Sequence, residues 1–157
     1  MMPLMDAPPY DEKKEERKKH LLIGALVAAV LLIVIALSGF FMGHGWFFMN
    51  VPAEYRVSRF LNTVEAGDFQ KAYGIWMNDD NWQQHPQQYD YTFDRFKEDW
   101  STKSDYGIVH SHSVKMSHRD GNSIIIGVQI NGSPDLFFLL YETKHGTLSY
   151  SPVKLAY

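Results

Sequence analysis

Residues 21–42 form one uninterrupted apolar run without a charge, and Ser38 is its only polar side chain. At helical rise such a run is roughly 30 Å long, about the thickness of a bilayer's hydrocarbon core. The sequence therefore predicts a transmembrane helix over 21–42, with everything after it tethered at a membrane surface. A cleaved signal peptide is the competing reading, since a basic region, an apolar region and Ala36-Leu37-Ser38 follow one another in the right order. The length of the run, and its continuation through Phe40, Phe41 and Met42, favour an anchor. A buried helix of a soluble protein fits less well, because every face of this one is apolar. Gly24 with Ala28, and Ala25 with Ala29, offer small-residue faces for another helix, a common and unspecific feature of spans.

The flanks orient the span. Lys13, Lys14, Arg17, Lys18 and Lys19 precede it, and the first basic residue after it is Arg56. The positive-inside rule counts these cations, so residues 1–20 read as a disordered, charged cytosolic tail that turns helical near the membrane, with Arg17, Lys18 and Lys19 at the interface. Trp46, Phe47 and Phe48 suit the aromatic belt on the opposite side. The expected location is a bacterial inner membrane, crossed once, with the C-terminal part outside the cytoplasm. The chain has 157 residues and a formal charge of −3 without a basic stripe, which argues against a nucleic-acid partner. It has no cysteine, which excludes disulfides, thiol nucleophiles and cysteine zinc sites.

After a short linker at 43–52, residues 53–157 read as one α+β domain. Val57, Phe60, Leu61 and Val64 fall on one helical stripe, and Phe69, Ala72, Tyr73 and Trp76 on a second. Phe93, Phe96 and Trp100 make a third. Gly67 suits a left-handed helix end and Asp68 an N-cap. Residues 78–90 are too polar for a core. They read as a solvated loop, or as a lid with Trp82, His85 and Tyr89 as contacts. From Tyr106 the period becomes two, with Ile108, His110, His112, Val114, Met116 and His118 expected on one strand face. Ser111, Ser113, Lys115 and Ser117 would then lie on the other. Asp120-Gly121 predicts a hairpin turn, and strands are expected at 123–131, 136–144 and 148–155. The predicted order is one membrane helix, three domain helices, then a four-stranded antiparallel meander.

Segment 60–76, FLNTVEAGDFQKAYGIW, resembles the opening of the nuclear-transport-factor-two-like superfamily. There, a first helix ends in a Gly-Asp pair followed by an aromatic, and an Ala-Tyr pair sits in the second helix; Gly67, Asp68, Phe69, Ala72 and Tyr73 match. The resemblance covers 53–157 and implies a cone-like domain with a curved sheet, whose mouth holds a ligand, a partner's segment or nothing. The superfamily includes ketosteroid isomerases, polyketide cyclases, dehydratases and many non-catalytic binding domains, so the resemblance speaks for fold rather than function.

No residue set matches a catalytic motif. There is no phosphate-binding Gly-rich loop and no Gly-x-Ser-x-Gly elbow. Asp94 and Asp99 read as a solvated helix face. His110 and His112, two apart on a strand, would chelate a metal only with a third ligand from elsewhere. As a pocket wall, His110, His112, Tyr141 and Trp100 are the candidates. The expected function is a non-catalytic membrane-anchored binding or assembly module, without a cofactor. Its partner would be another membrane or periplasmic protein, or a second copy bound through the sheet face. A small-ligand pocket, in a sensor or a weak lyase or isomerase, is the alternative.

Overall fold

The computed structural model describes residues 11–155 and divides the chain into two compact units, Met1–Ala36 and Leu37–Tyr157. Helix α1 (Glu12–Phe41), most of it in the first unit, begins well before the apolar run. The charged stretch next to the apolar run is helical from Glu12, and residues 1–10 of that tail lie outside the described residues. Asp11 starts the helix by accepting from the Lys14 and Glu15 amides, and Lys18 pairs with Glu15 on its exposed surface. Leu21, Leu26 and Leu32 are all more than half exposed, and none of the most apolar window is buried. The helix is long and apolar enough to cross a membrane.

The second unit is α+β. Helix α2 (Phe47–Glu65) is followed by α3 (Phe69–Met77), two single 3-10 turns at Trp82–Gln84 and Pro86–Gln88, and α4 (Phe93–Asp99). Strands β1 (His112–Asp120), β2 (Ser123–Ile130), β3 (Leu136–Glu142) and β4 (Leu148–Tyr150) form an open antiparallel sheet in that order. Most of the expected linker is thus the first turns of α2, with Pro52 inside the helix. Gly67, with φ of 74°, closes α2, and the Asp68 side chain accepts from the Lys71 amide to open α3.

The core lies between the helices and one face of the sheet. Ile124, Ile126, Val128 and Ile130 alternate toward it from β2, joined by Leu139 and Leu148. Phe60 of α2 is fully buried at its centre, with ring centroids 5.2 Å from Trp76, 6.1 Å from Phe96 and 4.9 Å from Trp100. Such tilted and edge-to-face pairs add to burial alone.

Three strand expectations are corrected. Residues 106–111 are not strand, and β4 ends at Tyr150. More consequentially, β1 carries a bulge between Val114 and Met116. Val114 pairs with Val128 but Met116 pairs with Gly127, so the side-chain alternation inverts at Lys115. His112 and Val114 share the core side, whereas Met116 and His118 lie on the outer side. Ser117, expected outside, points inward and is 3% exposed.

Candidate functional site

The sequence-derived pocket residues do not converge. His110 is exposed outside the strand, and its backbone amide donates to Asn131 Oδ1 at 2.8 Å. His112 is half-buried, its Nδ1 2.5 Å from Glu65 Oε1. This joins β1 to the end of α2 and supplies the carboxylate partner that no sequence spacing revealed. The described residues hold no group of three or more His, Cys, Asp or Glu side chains able to bind a metal, so His110 and His112 lack the third ligand a chelate requires. Tyr141 lies beneath the Arg56 guanidinium, 6.0 Å from its ring centroid. Arg56 also donates to Ile75 O at 2.9 Å and to Asn78 Oδ1 at 2.6 Å, and burial lowers its pKa from the usual arginine value. Of the expected interfacial aromatics, Trp46 and Phe48 are exposed and Phe47 is half-buried, while Arg17, Lys18 and Lys19 are exposed on α1.

Segment 78–90 is pinned rather than open. Asp79 Oδ2 contacts His85 Nε2 at 2.5 Å and accepts from the Tyr89 hydroxyl at 2.7 Å. These bonds hold the Asp79 carboxyl below its usual range, the Tyr89 hydrogen bond contributing most. Burial first, then Asp79, pushes Tyr89 up to about 12. Trp82 stacks on Phe93 at 4.9 Å, and its indole N–H donates to Gln70 O. The loop therefore belongs to the wall of the domain.

Two clusters emerge that the sequence did not disclose. One joins the start of α2 to β1. Ser117 Oγ lies 2.5 Å from Glu54 Oε1, 3.0 Å from His44 O and 3.0 Å from Asn50 Nδ2, and Glu54 Oε1 is 2.7 Å from His44 Nδ1. The Gly43 carbonyl accepts from the Ser117 amide, occupying the edge of β1. Serine, histidine and glutamate are the residue types of a hydrolytic triad, but the arrangement is not one. The carboxylate rather than the imidazole contacts the hydroxyl, and Ser117 is buried from any substrate. This cluster is a structural latch.

The other is a cavity of about 220 Å3 between the end of α4, the turn after it and strands β3 and β4. Trp100 forms its floor, and Tyr106, Phe137 and Tyr150 its aromatic wall. Phe137 meets Tyr106 at 5.3 Å, Trp100 at 5.7 Å and Tyr150 at 5.9 Å. Asp99 and Asp105 add carboxylates, and Lys103, ion-paired with Glu98, is also part of the lining. Tyr91 donates to Asp99 Oδ2 at 2.9 Å and lies 3.0 Å from the Tyr150 hydroxyl. Burial, with Asp99 contributing, pushes Tyr150 up to about 12; burial and then Asp105 and Asp135 raise Tyr106. The Asn131 side chain ties the turn to the end of β2. Asn131, itself left-handed with φ of 51°, donates to Tyr106 O and Ile108 O and accepts from the His110 and Ser111 amides. Of the four sequence-derived candidates, only Trp100 belongs to this cavity. Its other walls come from Asp99, residues 103–106, Phe137 and Tyr150, which only the fold brings together. Comparison of the chain with protein-family models, with curated proteins and with solved structures finds no match in any of the three.

Proposed function

We propose that this protein is a non-catalytic binding or assembly module, held by a single membrane span with its N-terminus in the cytosol and its folded domain outside a bacterial inner membrane. The observation that carries the reading is α1, whose most apolar window holds no buried residue, joined in one chain to a separately packed α+β unit. A helix of that kind needs lipid or another apolar helix around it. Tethering raises the domain's effective concentration toward membrane partners without a tight interface. The charge asymmetry around residues 21–42 supports the orientation. In the same reading the domain is a nuclear-transport-factor-two-like cone, a proposal supported by the resemblance of 60–76.

The histidine–carboxylate contacts fit a binding module. His44–Glu54 and His112–Glu65 tie helix to strand, and His85–Asp79 ties a loop, so each has a structural task. The outer sheet face is the favoured docking surface. It carries an open hollow of about 510 Å3 lined by Gly43, Lys115, Met116, Gln129, Pro134 and Leu136. A photocrosslinking residue at His118 or Ser149, both exposed, tests it against one at Asn62 or Lys71 on the helices. Crosslinks to a protein from the first pair alone are expected. Equal labelling from both pairs contradicts the assignment.

A second reading, the small-ligand pocket, is favoured by the cavity at Trp100. It places that pocket with Tyr106, Phe137 and Tyr150, away from His110, His112 and Tyr141.

A further inference from the structure

We infer that the Trp100 cavity is a site for a small methylated ammonium group; the inference rests on the small-ligand reading above and names the ligand's chemistry.

Three properties of the cavity converge on that class. The first is its surface. Tyr106 and Phe137 are half-buried and Tyr150 is 39% exposed, so three aromatic rings present area to the space above Trp100. Ring faces carry the negative end of the aromatic quadrupole and attract cations. The second is charge. Asp99 and Asp105 line the cavity, and Asp135 acts on Tyr106 from beside it. Lys103 is the opposing cation in the lining, and it is held by Glu98, whose contact raises its pKa. Arg95 acts on Tyr150 from outside the lining. Counting Glu98, four carboxylates face two cations. The third is size. At about 220 Å3 the space is smaller than the roughly 300–1,000 Å3 of sites for drug-sized ligands, and suits a headgroup-sized molecule.

The same properties select among cations. A primary ammonium brings three donors that need acceptors, and ring faces meet that need poorly. A metal ion needs a convergent ligand set, which the described residues do not contain. A methylated ammonium has diffuse charge and apolar methyls, which match an aromatic wall with carboxylates at its rim. Preorganisation is provided by Asn131, whose four hydrogen bonds fix the turn that carries Tyr106.

The test is calorimetric titration of the full chain, in phosphatidylglycerol nanodiscs, with choline and with its neutral isostere 3,3-dimethyl-1-butanol. Choline is expected to bind at least about tenfold more tightly than the isostere. Tyr106→Leu, on the surface turn, should weaken choline roughly 2- to 30-fold, the range of one cation–π contact, and Asp105→Asn on the same turn should weaken it as well, with far-ultraviolet dichroism unchanged in both. Equal binding of choline and the isostere overturns the ammonium assignment and leaves the pocket standing. Binding of neither overturns both. Choline binding indifferent to both substitutions places the cation elsewhere and also overturns the proposal. Repeating the titration in phosphatidylcholine nanodiscs distinguishes the sources. Loss of choline binding there identifies a lipid headgroup as the occupant, and unchanged binding identifies a soluble one; either supports the shared chemistry.

Discussion

Replacing Ser117 with alanine removes one hydroxyl from the latch between the start of α2 and β1, and the structure sets the size of the effect. The hydroxyl has a single proton, shared between His44 O and Glu54 Oε1, and it accepts from Asn50 Nδ2. Without it, Asn50 Nδ2 keeps only Ser117 O, at 3.5 Å. Asn50 is 1% exposed and its Oδ1 already has no partner, so solvent offers no replacement. A buried donor stranded in this way costs about 1–3 kcal/mol. Glu54 retains its contact with His44 Nδ1 at 2.7 Å, so the substitution stays below the ~3–5 kcal/mol of a broken buried ion pair. An effect of about 2–3 kcal/mol follows, or roughly 8–12 °C in the melting temperature of a domain of this size. Thermal unfolding of the full chain in detergent, followed by near-ultraviolet dichroism, reads the aromatic core while α1 stays helical. Ser113→Ala is the control. Ser113 pairs with Gln129 on the outer face, so its loss should stay within about 0.5 kcal/mol. Equal melting temperatures for the two variants would refute both the inward rotation of Ser117 and the bulge that causes it.

Three other perturbations follow from the same geometry. Asn131→Gly keeps the left-handed backbone but deletes four hydrogen bonds, so amide exchange across 106–111 should accelerate while β2 and β3 stay protected; uniform protection would contradict the pinning role. Phe60→Ala empties the centre of the aromatic core and should cost about 3–5 kcal/mol, seen as a lower urea midpoint with an unchanged slope. Burial raises Tyr91 and Tyr150 in the fold, Tyr150 to about 12, whereas an unfolded tyrosine titrates near 10. Their neutral forms therefore contribute stability in full below about pH 10, and that contribution is lost as pH rises toward about 12. Tyrosinate absorbance and unfolding measured together should show the loss in that window, and titration of every tyrosine near 10 in the folded protein would contradict it.

The helical half of the domain was largely legible. Val57, Phe60, Leu61 and Val64 recur at helical spacing because one face of α2 must be buried, and Gly67 and Asp68 stop and start helices through local backbone chemistry alone. The start of α2 was hidden, since Gly45, Asn50 and Pro52 read as a break, whereas Asn50 is held inside by Ser117, far along the chain. The faces of β1 were misread for one reason. A bulge adds a residue without altering the alternation pattern, so everything after Lys115 was assigned to the wrong side. The pairing of His112 with Glu65, and the gathering of Trp100, Tyr106, Phe137 and Tyr150 around one cavity, are products of tertiary packing that no local spacing encodes.

The central claim is that the domain works by holding a partner at a membrane. Native mass spectrometry of the full chain, released from its own membranes in mild detergent, tests it most directly. A stoichiometric assembly with a second copy or another protein is expected, and it should dissociate when the outer face is charged by Leu136→Arg without loss of melting temperature. A bare monomer, with or without that substitution, would contradict it.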